Sequence, residues 1–185
     1  MDIMLLDQVC RDRIPAAARI LDAGCGGGRN LEWFLEQGHV LTACDPDAGA
    51  IESCRQRFGT RVELHQAALP ELPVPSHAFD LVLCNAVLHF APDEAAFRAW
   101  FAELVRTLAP GGRLFIRCAT TIAWPGPLPC GDDGRVTGAC HFRYLVGREQ
   151  LLALLEQHGL RLADPLKTTV VDGQRVMSTV VAEVR

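Results

Sequence analysis

The stretch that most constrains this chain is Ile20-Leu-Asp22-Ala-Gly24-Cys25-Gly26-Gly-Gly28-Arg29-Asn30. An apolar run ends on an acid and is followed at once by four glycines in five positions, 24–28. Glycine loses more backbone freedom on folding than any other residue, so such a cluster marks a tight turn or bare backbone pressed against something. A strand, then that turn, then a helix is the geometry in which free N–H groups and the positive end of a helix dipole face an anionic group.

The rest of the chain repeats the strand-then-helix order. Residues 18–22, 39–44, 61–65, 79–84 and 113–117 read as short buried strands, and 29–37, 48–57, 93–108 and 147–157 carry apolar residues at helical spacing. Asp47 is placed to cap the second of these helices, and Phe97, Trp100 and Phe101 to fill the core from the third. Residues 166–171 and 175–184 flank Asp172-Gly173, a strong two-residue hairpin signal. Alternation of this kind implies a parallel sheet covered on both faces, with the terminal hairpin running its last strand against its neighbour. The expected fold is α/β: a doubly wound, mostly parallel seven-stranded sheet with an antiparallel C-terminal strand, in a single domain spanning 1–185. Residues 119–147, rich in proline and glycine, are too long for a simple connection and read as a lid or binding loop.

Composition narrows the function classes. A net charge of −4 without a Lys/Arg run gives no reason to expect nucleic acid. No apolar stretch approaches the roughly 20 residues that cross a bilayer, and the acids within MDIMLLDQVCRDR argue against a signal peptide. Cys25, Cys84 and Cys118 lie in or at the ends of apolar runs, so the eight cysteines read as reduced thiols of a cytoplasmic protein. Cys130 and Cys140 have nine residues between them, which is not zinc-finger spacing even with His141 alongside, so no metal is expected.

In doubly wound sheets ligands bind beyond the carboxyl ends of the strands, where strand order reverses. The dinucleotide fingerprint would need glycine at position 29, where Arg29 stands. Instead Asp22-Ala-Gly24-Cys-Gly26-Gly-Gly28 resembles the first motif of the class I S-adenosylmethionine-dependent methyltransferases. Asp45 at the end of the second strand, Phe79-Asp80-Leu-Val-Leu-Cys-Asn85-Ala-Val-Leu-His89-Phe90, and Leu108-Ala-Pro110-Gly111-Gly112-Arg-Leu resemble three further motifs of that family, in family order.

The resemblance implies an S-adenosyl-L-methionine cofactor and transfer of its methyl group to a small-molecule acceptor by in-line displacement, without nucleic acid or membrane as partner. It places the backbone of Gly24, Cys25 and Gly26 against the cofactor, with Asp22, Asn85 and Arg29 at its methionine end. Asp45, followed by Pro46, would accept from both ribose hydroxyls, and Ala67, Ala68 and Leu69 would border adenine. Many members carry an aspartate near Ala68; alanine offers only its backbone. His89, Trp124, His141, Arg143 and Tyr144 are candidates for the acceptor pocket, and His89 and His141 for a general base. A bland alternative for His89 is a ring that bonds nearby backbone. A competing reading is a cofactor-binding protein of the same fold without turnover, a regulatory or assembly partner, which a blocked acceptor space would favour. A nicotinamide-dependent oxidoreductase is disfavoured by Arg29.

Overall fold

The run after Ala18 forms strand β1 (Arg19–Ala23), buried at every position but the first, as expected of a strand with neighbours on both sides and cover on both faces. Its companions are β2 (Val40–Asp45), β3 (Val62–Gln66), β4 (Phe79–Asn85), β5 (Leu108–Ala119), β6 (Leu160–Leu162), β7 (Lys167–Val171) and β8 (Arg175–Val184). The structure is a computed structural model and describes residues 1–136, 143–171 and 175–185. Cys140, His141 and the Asp172-Gly173 turn lie outside the described residues.

The strands run in the order β3-β2-β1-β4-β5-β8-β6, with β7 also on β8. Pairs among β1 to β5 are parallel, and β8 runs antiparallel to β5, β6 and β7. The seven expected strands become eight, yet they fill seven positions. β6 pairs with residues 182–184 of β8 and β7 with residues 175–179, so the two lie end to end along one edge. Three residues carry too little alternation for β6 to be read from sequence. β5 also begins earlier than expected: Phe79 pairs with Leu108 and Leu81 with Arg113, so residues 109–112 bulge out within it.

Among the described residues five α-helices cover the sheet: α1 (Ile3–Cys10), α2 (Leu31–Glu36), α3 (Ala48–Phe58), α4 (Glu94–Thr107) and α5 (Arg148–Gln157). Asp47 caps α3, accepting from the Gly49 and Ala50 N–H groups, and Asp93 caps α4 by accepting from Ala96 N–H. α1 is not legible in the sequence, where its acids only interrupt an apolar run. Here Asp2 caps it and Leu5 and Gln8 are buried beneath it.

Successive strand residues point to opposite faces, and the core divides accordingly. One face carries Val82, Cys84, Leu114, Ile116 and Val180 against Phe97, Phe101 and α5. The other carries Ile20, Leu81, Leu83, Phe115 and Val181 against Leu5, Phe34 and Phe58 of α1, α2 and α3. On this second face the character changes at the carboxyl ends of the strands. Two residues beyond Ile20, Ala43, Leu83 and Phe115 stand Asp22, Asp45, Asn85 and Arg117.

The described parts of the long connection after β5, residues 120–136 and 143–147, are tied together by backbone pairing. Isolated bridges join Thr120 to Val146, Cys130 to Val136 and Arg135 to Tyr144. Arg135 pairs with Asp93 at 3.2 Å, tying the connection to the start of α4. Beneath it Ala119, Leu145 and Met177 form a small third cluster with Ala86, Trp124, Cys130 and Val136.

Phe115 sits at the centre of the second face, fully buried on the strand between β4 and β8. Phe115→Ala should lower unfolding free energy by about 3–5 kcal/mol, the cost of a large core cavity, read as a shift in urea midpoint; an unshifted midpoint would contradict this packing.

Candidate functional site

The turn after β1 is tied to β2 by its backbone: the Gly24 and Cys25 N–H groups both donate to the Cys44 carbonyl, at 2.8 and 3.0 Å. Gly24 and Gly26 have φ of +85° and +52°, in the region that side-chain-bearing residues avoid. They serve different ends. A Cβ on Gly24 would lie 2.3 Å from Cγ2 of Val87, so glycine there is a packing requirement, whereas a Cβ on Gly26 would meet no atom within 4 Å. The side of Gly26 where a side chain would stand faces open space.

Asp45 clamps the Gly26 main chain. Its Oδ2 accepts from the Gly26 N–H at 2.8 Å and its Oδ1 from the Asp47 N–H at 2.9 Å. A carboxylate offers about four lone-pair sites, so capacity remains for two further donors. The backbone of Asp45 also receives the Ala67 N–H at 3.1 Å, which brings the ends of β2 and β3 together. Ala67 and Leu69 are half-buried against the core, while Pro46 and Ala68 are exposed beside them.

Asp22 and Asn85 are the two oddities. Asp22 is 1% exposed and Asn85 7%, and all four of their side-chain polar atoms lack a hydrogen-bond partner among the described residues. An unsatisfied buried polar group costs roughly 1–3 kcal/mol, so two together at the ends of adjacent strands mark a place built to meet something polar. Burial pushes the Asp22 carboxyl up to about 7, and the charge of Asp45 adds to this. Asn30, near but outside hydrogen-bond geometry, and the exposed Arg29 offset part of the shift.

The thiol of Cys25 is buried, with Sγ 3.4 Å from the Gly26 carbonyl, and Cys54 approaches the same oxygen at 3.3 Å. Burial pushes the Cys25 thiol far up, so it is no nucleophile.

Of the residues proposed for the acceptor side, His89 is 2% exposed in a 3₁₀ turn at Leu88–Phe90. Its Nδ1 accepts from the Ala119 N–H at 3.1 Å. A backbone N–H can only donate, so the neutral ring carries its proton on Nε2 and has no lone pair left to take another. Burial lowers its pKa to about 4, so it stays neutral at physiological pH. Its carbonyl in turn accepts from the Arg143 and Tyr144 N–H groups, at 2.8 and 3.3 Å. This is the backbone-bonding alternative. Tyr144 is fully buried with its ring 5.3 Å from that of Phe97, which places it in the core rather than on a pocket wall. The Arg143 side chain is exposed, and Trp124 is half-buried over the third cluster, near Ala86 just past Asn85. His141 lies outside the described residues.

Two residues absent from the sequence reading join the site. The Asp2 N–H donates to Asn30 Oδ1 at 3.0 Å, and its carboxylate pairs with Arg117 at 3.0 Å. Arg117 could have been found from the two-residue period, because it follows Phe115 on the same face. Asp2 carried no such signal, since nothing local reveals where α1 packs.

Comparison with known proteins agrees with this geometry. A methyltransferase-domain family model matches residues 21–116. The ubiquinone biosynthesis O-methyltransferase of Aromatoleum aromaticum is 36% identical over 115 residues, a match covering 60% of this chain and 47% of that protein. The chain thus spans about half the length of that relative. Among solved structures, an S-adenosylmethionine-dependent methyltransferase from Methanosarcina mazei superposes with a TM-score of 0.78 at 19% identity, covering 95% of this chain and 96% of that one. The 1,6-didemethyltoxoflavin-N1-methyltransferase of Burkholderia thailandensis, solved with 1,6-didemethyltoxoflavin and S-adenosylhomocysteine, gives 0.74 at 26% identity, covering 97% and 75%.

Asp22 makes stability depend on pH with a definite sign. Its carboxyl titrates near 3.8 when unfolded and near 7 when folded. Between these values the folded state holds more protons, so its contribution to stability falls as pH rises through that window. Asp22→Asn, a neutral isostere, should therefore melt higher than wild type at pH 8 and equally at pH 4; an equal gap at both would show that the charge is not the cause.

Proposed function

Because the chain belongs to the methyltransferase-domain family, we propose that it transfers a methyl group from S-adenosylmethionine to a small-molecule acceptor. The observation that carries this reading is the pairing of unpartnered, buried Asp22 and Asn85 beside a turn whose Gly26 faces open space. A ligand that brings an ammonium, a carboxylate and two vicinal hydroxyls suits these groups. Asp22 would regain its charge against the ammonium, and Asn85 would find the donor and acceptor it lacks. The free lone pairs of Asp45 would take the ribose hydroxyls, and Ala67, Ala68, Leu69 and Pro46 would border the base. Arg29, exposed at the start of the turn into α2, is available to the carboxylate.

When bound, the sulfonium supplies an activated methyl: the acceptor's lone pair forms the new bond to carbon as the C–S pair returns to sulfur. The chain's own task is then alignment and exclusion of water. His89 serves this as a positioning residue rather than a base, since its ring and carbonyl join the end of β5 to the returning connection. That knot holds Trp124, Val136 and Met177 over Ala86, on the acceptor side of Asn85.

Calorimetric titration with S-adenosylhomocysteine tests the reading. Binding is expected, with affinity rising as pH increases toward about 7, because the ammonium favours ionised Asp22 and expels its proton. Asp45→Ala should weaken it by about 1–3 kcal/mol. Isotope-labelled methyl donor incubated with fractionated metabolites should then mark an acceptor. Uptake of NAD in place of the nucleoside, or no nucleoside binding, would defeat the proposal; binding without label transfer to any fraction would favour a cofactor-binding protein without turnover.

A further inference from the structure

Asn85, Arg117, Thr179 and Lys167 are register partners across four adjacent strands, β4, β5, β8 and β7, so their side chains share one face of the sheet. This row starts at Asn85 on β4 and runs away from β1 and β2, which carry Asp22, the glycine turn and Asp45. Three members of the row keep unmet hydrogen-bonding capacity among the described residues: both amide atoms of Asn85, Nε of Arg117 and Oγ1 of Thr179. Thr179 is 3% exposed, and its hydroxyl has no partner among the described residues.

The row is already bridged by carboxylates of this chain. Helix α1 lies across it, with Asp2 on Arg117 at 3.0 Å and Asp7 on Lys167. The two ends of the helix are held differently. At its C-terminal half, Gln8 adds a buried hydrogen bond to Asp164 at 2.8 Å, and Asp7 pairs with Arg11 as well. At its first turn Ile3 is 71% exposed, and Asp2 is secured by Arg117 and Asn30. Removing one partner from a buried ion pair is costly, but exchanging one carboxylate for another conserves the pairing.

We propose that the Arg117–Thr179 pair, next to Asn85, is a carboxylate-binding subsite for the methyl acceptor, which is therefore a small carboxylic acid, and that the Asp2 carboxylate occupies the position until the acid displaces it. Arg117 contributes the charge and its unmet Nε–H and Thr179 a hydroxyl, donors suited to an oxyanion, while Asn85 marks the border with the cofactor. Displacement frees the first turn of α1 while Asp7 and Gln8 keep the remainder docked. The proposal rests on the methyltransferase reading for its choice of acceptor over cofactor.

The test uses the full chain saturated with S-adenosylhomocysteine and titrates it with acetate, benzoate and phenylacetate, each beside its neutral amide. At least one acid should bind about tenfold tighter than its amide, the scale of one charge-assisted hydrogen bond. Arg117→Gln should erase that preference with S-adenosylhomocysteine affinity unchanged, and Arg117→Lys should restore part of it. Asp2→Asn, which removes the internal competitor, should tighten acid binding several-fold, and it carries the test if Arg117→Gln does not fold. No preference for acids in wild type, a preference that survives Arg117→Gln, or unaltered acid affinity in Asp2→Asn would each overturn the subsite. If Arg117→Gln weakens S-adenosylhomocysteine but not its decarboxylated analogue, the carboxylate is the cofactor's and the acceptor assignment falls. A wild type that binds no S-adenosylhomocysteine, yet shows Arg117-dependent preference for acids, would sink the methyltransferase reading and leave the subsite standing.

Discussion

Asp22, Asp45, Asn85 and Arg117 each stand two residues beyond a core side chain on the same face of one sheet, at Ile20, Ala43, Leu83 and Phe115. That spacing is the constraint on which the rest depends. A strand repeats its facing every two residues, so the apolar residues that pin the strands between helices also aim the next side chain. Packing of α1, α2 and α3 against the lower part of the face thereby sets where the polar groups converge. A slip of one residue in any of these strands would bury the wrong side chain and turn the functional one to the opposite face.

Electrostatics then give the site its character. The acid on β1 is held in a dry place near another acid, and its protonation is correspondingly favoured. Two backbone N–H groups meet the oxygens of Asp45. The same clamp draws the Gly26 main chain toward β2, so the turn and the second strand act as one unit. On the far side of β4 the sign reverses, with Arg117 and Lys167 answered by acids of α1. A single face thus carries an acidic half and a basic half whose counter-ions come from the helix packed across it.

His89 joins the end of β5 to the chain that returns after it. One buried ring takes the last N–H of β5, and its carbonyl takes two N–H groups of the returning chain. Loops are commonly the variable part of such folds, and here the bridges at Cys130–Val136 and Arg135–Tyr144 give this one a framework of its own. Tyr144 belongs to that framework, with Phe97 beneath it.

What the sequence by itself determined is whatever is local. The glycines after Ile20-Leu21-Asp22, the buried strand runs, the cap at Asp47 and the closing hairpin strands all follow from backbone sterics, side-chain period and capping within a few residues. From these the sheet class was legible, while the cofactor half of the candidate site was an expectation drawn from the family resemblance of the same motifs. Tertiary structure decided what depends on distant partners. It put Gly24 against Val87 while leaving Gly26 in the open, took the lone pair of His89, sank Tyr144 into the core and joined Asp2 to Arg117 across the length of the chain. Such outcomes rest on which elements become neighbours in space, and burial and pairing across long sequence separations leave no periodic signal in the residues that take part.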